Sequence, residues 1–203
     1  MKRWIATVAA LAAGLMLNAA ASAQSASDRF QEILSKGVVR IGVPIDAPPF
    51  GSVNQERKPE GFDIELAEMV AKALGVKLEM TQVTGANRIP YLLSDRVDII
   101  ISVMGLTPER AKQIMFTAPY ANTFLAVFGA KSANVPSAAD LGSMRIAAAK
   151  GTTQELAISD MNPKANLMRT EDDATAAAAY LSGQAELIAT NSIVAQALAK
   201  QNP

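Results

Sequence analysis

Short apolar segments typical of strands alternate with helical segments along most of this chain, and that alternation limits its fold more than any other feature. Residues 38–43 and 76–83 predict strands, and a glycine at each end bounds a helix over residues 61–74. The mostly apolar run at 97–103 predicts a strand that is covered on both faces. Strands that alternate with helices form βαβ units around a parallel sheet, so we predict an α/β fold.

The helix predicted over residues 61–74 has a recognisable two-sided pattern. Its charged residues are spaced to lie on one side, where Glu68 and Lys72 can pair. Its expected buried face consists of Phe62, Leu66, Met69, Val70 and Ala73.

The alternation stops in a loop of small residues at 132–140 and then begins again. Strands are expected at 144–148, 165–168 and 186–189, with helices between and after them. This second start predicts a second α/β lobe. In parallel sheets ligands bind beyond the carboxyl ends of strands, and the special residues of this chain lie in such loops.

The first 23 residues have the pattern of a secretory signal peptide. Lys2 and Arg3 precede an apolar run at 5–17, and the small residues Ala21 and Ala23 follow it. An N-terminal membrane anchor is the alternative, although a spanning helix needs about 20 apolar residues and this run is shorter. We therefore expect cleavage after Ala23 and export to the periplasm.

The residue types that are absent exclude several kinds of chemistry. The chain has no His and no Cys, which excludes a Ser-His-Asp triad, a thiolate nucleophile and a zinc site built on those ligands. Its 19 basic residues balance its 19 acidic ones, so an electrostatic grip on nucleic acid is not expected. We predict no metal and no cofactor.

Five stretches of sequence together resemble one protein family. GFDIELAEMV at 61–70 is similar to the signature of the extracellular solute-binding proteins of amino-acid ABC transporters, called family 3. The other four stretches agree with it in order. They are PPF at 48–50, NRIP before VDIIIS at 87–102, TPERAK before FTAPY at 107–120, and KGTT at 150–153. The chain is identified by this resemblance as a member over roughly residues 36–200.

The resemblance implies a two-lobed, periplasmic-binding-protein-like fold of type II with a ligand cleft between the lobes. After a signal peptide at 1–23, lobe 1 would comprise residues 24–122 and lobe 2 residues 123–203. In the family the chain returns to the first lobe at its end, so we expect the second lobe and that return to be truncated here. The implied function is to capture an amino acid or related small carboxylate and deliver it to an inner-membrane ABC permease. The protein would not be an enzyme, and at full length it would be a monomer.

The resemblance also assigns residues to the ligand site. Arg110 would hold the α-carboxylate, assisted by the backbone near Val103 and Gly105 and by Thr152 of the other lobe, with Thr153 beside it. Asn191 lies where the family usually has an Asp for the α-ammonium. Apart from the family, the planar guanidinium of Arg110 matches a carboxylate with two parallel hydrogen bonds. A surface Arg that pairs with Glu109 is the alternative.

Other candidate residues keep two interpretations each. Thr152 is either a helix N-cap or a ligand contact, or both. Phe50 is either core or an aromatic wall of the ligand site. Asp46 is either a solvated loop acid or a charge that compensates for Asn191. Arg88 is either a second cation for an acidic ligand or a surface residue.

The chain departs from the family at several contact positions, so its ligand stays open. Ala47 stands where an aromatic platform is frequent, Val103 where Gly is frequent, and Gly105 where a hydroxyl is frequent. Asn191 brings no negative charge for an ammonium, and Asp46 or Glu155 is the candidate substitute.

Two other functions remain open on the same scaffold. One is an exported, dehydratase-like enzyme acting on a cyclic carboxylate, with Asp46, Lys150 or Glu155 as its acid or base. The other is the ligand-binding part of a sensory receptor.

Overall fold

A computed structural model describes residues 29–133, 135 and 137–202. The signal peptide predicted for residues 1–23 lies outside these residues. The described chain forms two α/β lobes, each built around its own sheet, which confirms the predicted two-lobed fold with mostly parallel sheets. The boundary predicted near residue 122 stays a prediction.

The first lobe has a parallel three-stranded sheet in the order β4-β1-β5. Its elements in chain order are helix α1 (29–36), β1 (Val38–Val43), β2 (Ser52–Val53), β3 (Pro59–Glu60), α2 (Phe62–Leu74), β4 (Lys77–Gln82), α3 (Arg88–Leu93), β5 (Ile99–Ile100) and α4 (Pro108–Ala111). Strands β2 and β3 form a small antiparallel hairpin between β1 and α2.

The second lobe has a four-stranded sheet in the order β6-β9-β7-β8, in which only the pairing of β6 is antiparallel. Its elements are β6 (Leu125–Gly129), a 3-10 helix (Ala138–Ser143), β7 (Ile146–Ala149), α5 (Thr153–Met161), β8 (Leu167–Thr170), α6 (Asp173–Leu181), β9 (Leu187–Asn191) and α7 (Ser192–Gln201). Among the described residues, no helix combines the length and the apolar character that crossing a membrane needs.

Helix α2 buries a face that only partly matches the one its sequence predicts: Leu66 and Val70 pack against the core as expected. Ile64, Ala67 and Ala71 pack against the core of the first lobe, whereas Phe62 is 49% exposed and Met69 is 66% exposed. The small alanines allow the helix to approach β1 closely. The neighbouring carboxylate of Asp63 is also buried, and the hydrogen bond that it accepts from the Val103 N–H favours this rotation of the helix.

The strand predicted over 97–103 is shorter than expected. Only Ile99 and Ile100 pair with β1, and both are half-buried rather than covered on two faces. The extended backbone ends before Val103, which has a φ of 41° in the left-handed region. A β-branched residue rarely adopts that conformation, so the chain turns sharply there.

An ion pair joins β1 to the segment just before β5. Arg40 donates from Nε and Nη2 to the two carboxylate oxygens of Asp98, at 3.1 and 2.5 Å. The backbone N–H groups of Arg40 and Asp98 add two more hydrogen bonds between these segments. Burial raises the pKa of Asp98, but the hydrogen bonds from Arg40 outweigh it and lower that pKa below its ordinary value.

Replacing Asp98 with Asn is expected to lower the free energy of unfolding at neutral pH by about 2 kcal/mol, because hydrogen bonds to charged groups are worth about 1.5–3 kcal/mol. A lowered carboxyl pKa stabilises the fold above the unfolded-state pKa of about 4, and this contribution is lost as the pH falls through the folded-state pKa. The difference should therefore shrink in acid, and urea unfolding at several pH values measures it. Asp160→Asn, at an exposed position, is the control. Equal stability of the Asp98 variant and the control would contradict the assignment.

Candidate functional site

A cavity of about 140 Å³, lined by both polar and apolar residues, lies between the two lobes. Its walls come from the loops beyond the carboxyl ends of β1, β4 and β5 in the first lobe, and of β7, β8 and β9 in the second. This is where parallel sheets bind ligands. The charged and polar side chains that line it are Asp46, Thr84, Arg88, Ser102, Thr123, Thr152, Thr153, Gln154, Asp173 and Asn191.

Most of the residues predicted for the site meet at this cavity. Asp46, Arg88, Val103 and Gly105 line it from the first lobe, and Thr152, Thr153 and Asn191 line it from the second. Phe50 does not line it. It packs instead with Ala47 and Val194 in a buried cluster that joins the lobes, which favours the core interpretation of this residue.

Arg110 lies beside the cavity and connects the lobes. Its Nη1 donates to the Gly105 carbonyl at 2.8 Å and to Thr153 Oγ1 at 2.9 Å, and its Nη2 donates to the Gly151 carbonyl at 2.9 Å. Burial lowers the pKa of this guanidinium. The side chain is buried, so the interpretation of Arg110 as a surface partner of Glu109 is wrong.

Thr152 caps helix α5 at the cavity wall. Its hydroxyl accepts a hydrogen bond from the backbone N–H of Glu155 and donates one to the Ala149 carbonyl at 2.7 Å. The cap and cavity-wall interpretations of Thr152 therefore hold together. The hydroxyl oxygen of the next residue, Thr153, accepts a hydrogen bond from Arg110.

The lobes touch where two glycines face each other. A Cβ added to Gly85 would lie 2.5 Å from the Lys150 carbonyl oxygen, and one added to Gly151 would lie 2.8 Å from the Gly85 carbonyl oxygen. Gly151 also has a φ of 70°, which side chains other than glycine rarely adopt. Backbone meets backbone here, so only glycine permits the observed arrangement of the lobes.

Asn191 uses its side-chain oxygen to cap helix α7. Its Oδ1 accepts hydrogen bonds from the N–H groups of Ile193 at 3.1 Å and Val194 at 3.0 Å. These contacts assign the carbonyl end of the amide. The NH₂ group of the side chain remains available to the cavity. It is a hydrogen-bond donor, and an ammonium needs an acceptor, so the two fit poorly.

Arg88 is buried in the cavity wall rather than on the lobe surface, with 6% of its surface exposed. Its Nη1 donates to the Ser102 carbonyl at 2.7 Å. Burial lowers the pKa of Arg88 to about 10, and the like charge of Arg110 adds to the effect.

Two carboxyl groups face the cavity from opposite lobes. Asp46 accepts a hydrogen bond from the backbone N–H of Asp173 at 2.9 Å, and burial raises the pKa of Asp46. Burial and the charge of Asp46 raise the pKa of Asp173 to about 6. Sequence reasoning missed Asp173, which begins helix α6 after the end of β8.

A second missed carboxyl supports the sharp turn at Val103. Asp63 is fully buried in α2 and accepts a hydrogen bond from the Val103 N–H at 2.9 Å. Burial raises the pKa of Asp63 to about 6, opposed by the neighbouring Tyr120 hydroxyl and by the hydrogen bond from Val103. Asp63 thus holds the left-handed backbone that brings Val103 to the cavity wall.

Two candidate acid–base residues lie away from the cavity lining. Glu155 accepts a hydrogen bond from the Gly151 N–H and pairs with Arg169 at 2.8 Å. Lys150 pairs with the exposed Glu171. Of the three acid–base candidates, only Asp46 lines the cavity.

Comparison with known proteins gives one family. The sequence profile of the bacterial extracellular solute-binding proteins, family 3, matches residues 39–200. A glutamine-binding protein of Geobacillus stearothermophilus is 32% identical over 182 residues, which are 87% of this chain and 70% of that protein. A cyclohexadienyl dehydratase of Pseudomonas aeruginosa is 29% identical, with 93% of this chain and 72% of that protein covered.

A solved structure agrees with these relatives. The cysteine-binding protein from Campylobacter jejuni superposes with a TM-score of 0.82 at 33% sequence identity. The match covers 86% of this chain and 71% of that one.

The glycine contact yields a test of how the lobes meet. Gly85→Ala is expected to push the lobes apart, because the new Cβ clashes with backbone that cannot rotate away. Small-angle X-ray scattering should then give a larger radius of gyration, with an unchanged far-UV circular dichroism spectrum because each lobe keeps its own sheet and core. Gly142→Ala, whose Cβ would meet only an ordinary contact at 3.6 Å, is the control. Identical scattering from both variants would contradict the observed closure.

Proposed function

This chain belongs to the bacterial extracellular solute-binding proteins of family 3, and on that premise we propose that it is the periplasmic binding component of an ABC transporter, which captures an amino acid or related small carboxylate and delivers it to the membrane permease. The observation that carries the proposal is the cavity between the lobes, with charged side chains from both. Its relatives include proteins named for glutamine, arginine and histidine binding.

Ligand capture would couple to closure of the lobes. A molecule in this cavity touches Arg88 and Gly105 from one side and Thr152 and Asn191 from the other. Only the closed arrangement supplies both sets of contacts, so a ligand stabilises it by that differential affinity. A permease that recognises the closed form would then receive loaded protein.

Arg110 is the proposed anchor for the ligand's α-carboxylate. Its three hydrogen-bond partners at the cleft are neutral oxygens from Gly105, Gly151 and Thr153. A carboxylate is a stronger acceptor for a guanidinium and fits its fork with two bonds. A ligand carboxylate would replace some of these neutral oxygens as the partner of Arg110. The lobes would then stay joined through Arg110 and the ligand bound to it.

Turnover is the second candidate function because one relative is a dehydratase and because the Asp173 carboxyl, with a pKa raised to about 6, lines the cavity. A group with that pKa is able to give or take a proton near neutral pH. Incubation with a cyclohexadienyl carboxylate separates the functions. Stable binding without consumption supports a binding protein, whereas consumption of the compound would show an enzyme.

Arg110→Ala is expected to abolish ligand-induced thermal stabilisation by amino acids and to leave the far-UV circular dichroism spectrum unchanged. Loss of a buried, charge-assisted pair costs about 2–5 kcal/mol of binding free energy. Isothermal titration calorimetry measures the change. Lys112→Ala, at an exposed position two residues later, is the control. Wild-type affinity in the Arg110 variant would overturn the anchor assignment.

Asn191→Asp is expected to tighten the binding of a zwitterionic amino acid. Aspartate caps a helix as well as asparagine does, and its second oxygen would present negative charge in place of the NH₂ group. Titration of both proteins with the same amino acid measures the effect. Weaker binding would mean that no ammonium lies near residue 191, and unchanged binding would mean that this residue does not face the ligand.

A further inference from the structure

Arg88 holds a positive charge inside the cavity wall with most of its hydrogen-bonding capacity unused. A guanidinium has five N–H donors, and the hydrogen bond of Nη1 to the Ser102 carbonyl occupies one of them. Its Nε is buried and has no partner among the residues that the structure describes. A buried donor without an acceptor is costly, so the site is incomplete as it stands.

No carboxylate of the described chain forms a direct ion pair with Arg88. Asp46, which lines the same cavity, already accepts a hydrogen bond from the Asp173 N–H. The charges of Asp173 and Asp46 act on Arg88 through space and raise its pKa. Burial and the repulsion from Arg110 outweigh them, so the pKa of Arg88 is lowered. The surroundings therefore disfavour the charge of Arg88, and an anion beside it would be stabilising.

The size of the cavity limits what that anion belongs to. A cavity needs about 10–15 Å³ of volume to hold one buried water molecule. The cavity of about 140 Å³ therefore has room for on the order of ten heavy atoms. That is the size of a small amino acid with a short side chain. Gly105 and Thr153, which accept hydrogen bonds from Arg110, line the same cavity, so the anion and the group held by Arg110 would belong to one small molecule.

We infer that Arg88 binds a side-chain carboxylate, so that the ligand is a small acidic amino acid whose α-carboxylate is held by Arg110. This inference rests on the proposed function. The ligand's ammonium needs negative charge, which Asn191 does not bring. The carboxylates of Asp46 and Asp173, which line the same cavity, supply it. Arg88 is thus the residue that determines specificity for an acidic side chain.

Calorimetric titration of the full chain with L-glutamate, L-aspartate, L-glutamine and L-arginine tests the inference. The wild-type protein should bind one of the two acidic amino acids at least about tenfold more tightly than L-glutamine or L-arginine, because only a carboxylate pairs with a guanidinium through two charge-assisted bonds. Equal or tighter binding of L-glutamine or L-arginine would overturn it.

Two substitutions at Arg88 then locate the preference. Arg88→Gln removes the charge and keeps a donor, so it should weaken binding of the preferred acidic amino acid about 100-fold and leave the affinity for L-glutamine within a few-fold. Arg88→Lys keeps the charge and should retain the preference with lower affinity. Arg96→Gln, an exposed Arg that stacks on Tyr91, is the matched control.

The outcomes separate this inference from the proposed function. If the wild-type protein binds L-glutamine or L-arginine but neither acidic amino acid, the role of Arg88 is wrong and the transport function stands. If Arg88→Gln keeps wild-type affinity for the acidic amino acid, the inference also fails. If no amino acid binds at all, the proposed function itself fails. Should Arg88→Gln not fold, the wild-type preference and Arg88→Lys still decide.

Discussion

The guanidinium of Arg110 bonds to both lobes at once, and the enclosed cavity depends on that connection. Its donors reach Gly105 in the first lobe and Gly151 and Thr153 in the second. The reach is possible only because the lobes approach closely at Gly85 and Gly151, where a side chain on either residue would collide with backbone. The packing of Phe50 against Val194 forms a second contact between the lobes. One charged side chain and two glycines thus set the distance across the cleft.

Charge balance then decides what the closed cavity accepts. Two guanidinium groups, Arg88 and Arg110, lie near two carboxyl groups, Asp46 and Asp173, and burial opposes the charged form of all four. Asn191 adds no charge because its amide is neutral, and its oxygen is committed to the cap of α7. A zwitterion with a further carboxylate would give each of these charged groups an opposite partner. Asp173 lines the same cavity as Asn191, where its carboxylate can supply the negative charge that the amide does not bring.

The alternation of strands and helices was enough to predict the lobes, their parallel sheets and the loops that form the site. The wall contributions of Thr152 and Asn191 followed from the resemblance, because their motifs carry fixed positions. The buried face of α2 followed only in part, since the hydrogen bond from the Val103 N–H to Asp63, forty residues away, favours a different rotation of that helix. Asp173 was missed because its burial depends on the approach of Asp46 from the other lobe, a contact that no local pattern encodes.

A ligand that bridges the two buried guanidinium groups of the cleft would perturb both of them at once. The most direct measurement is a two-dimensional ¹⁵N NMR titration of arginine-labelled protein with L-glutamate and, separately, L-aspartate, in which the Nε–H resonances of Arg88 and Arg110 are followed. We expect both resonances to shift together at one binding stoichiometry and to exchange more slowly with water, while that of the exposed Arg96 stays in place. A shift of Arg110 alone, or of neither residue, at saturating concentrations of both amino acids would contradict it.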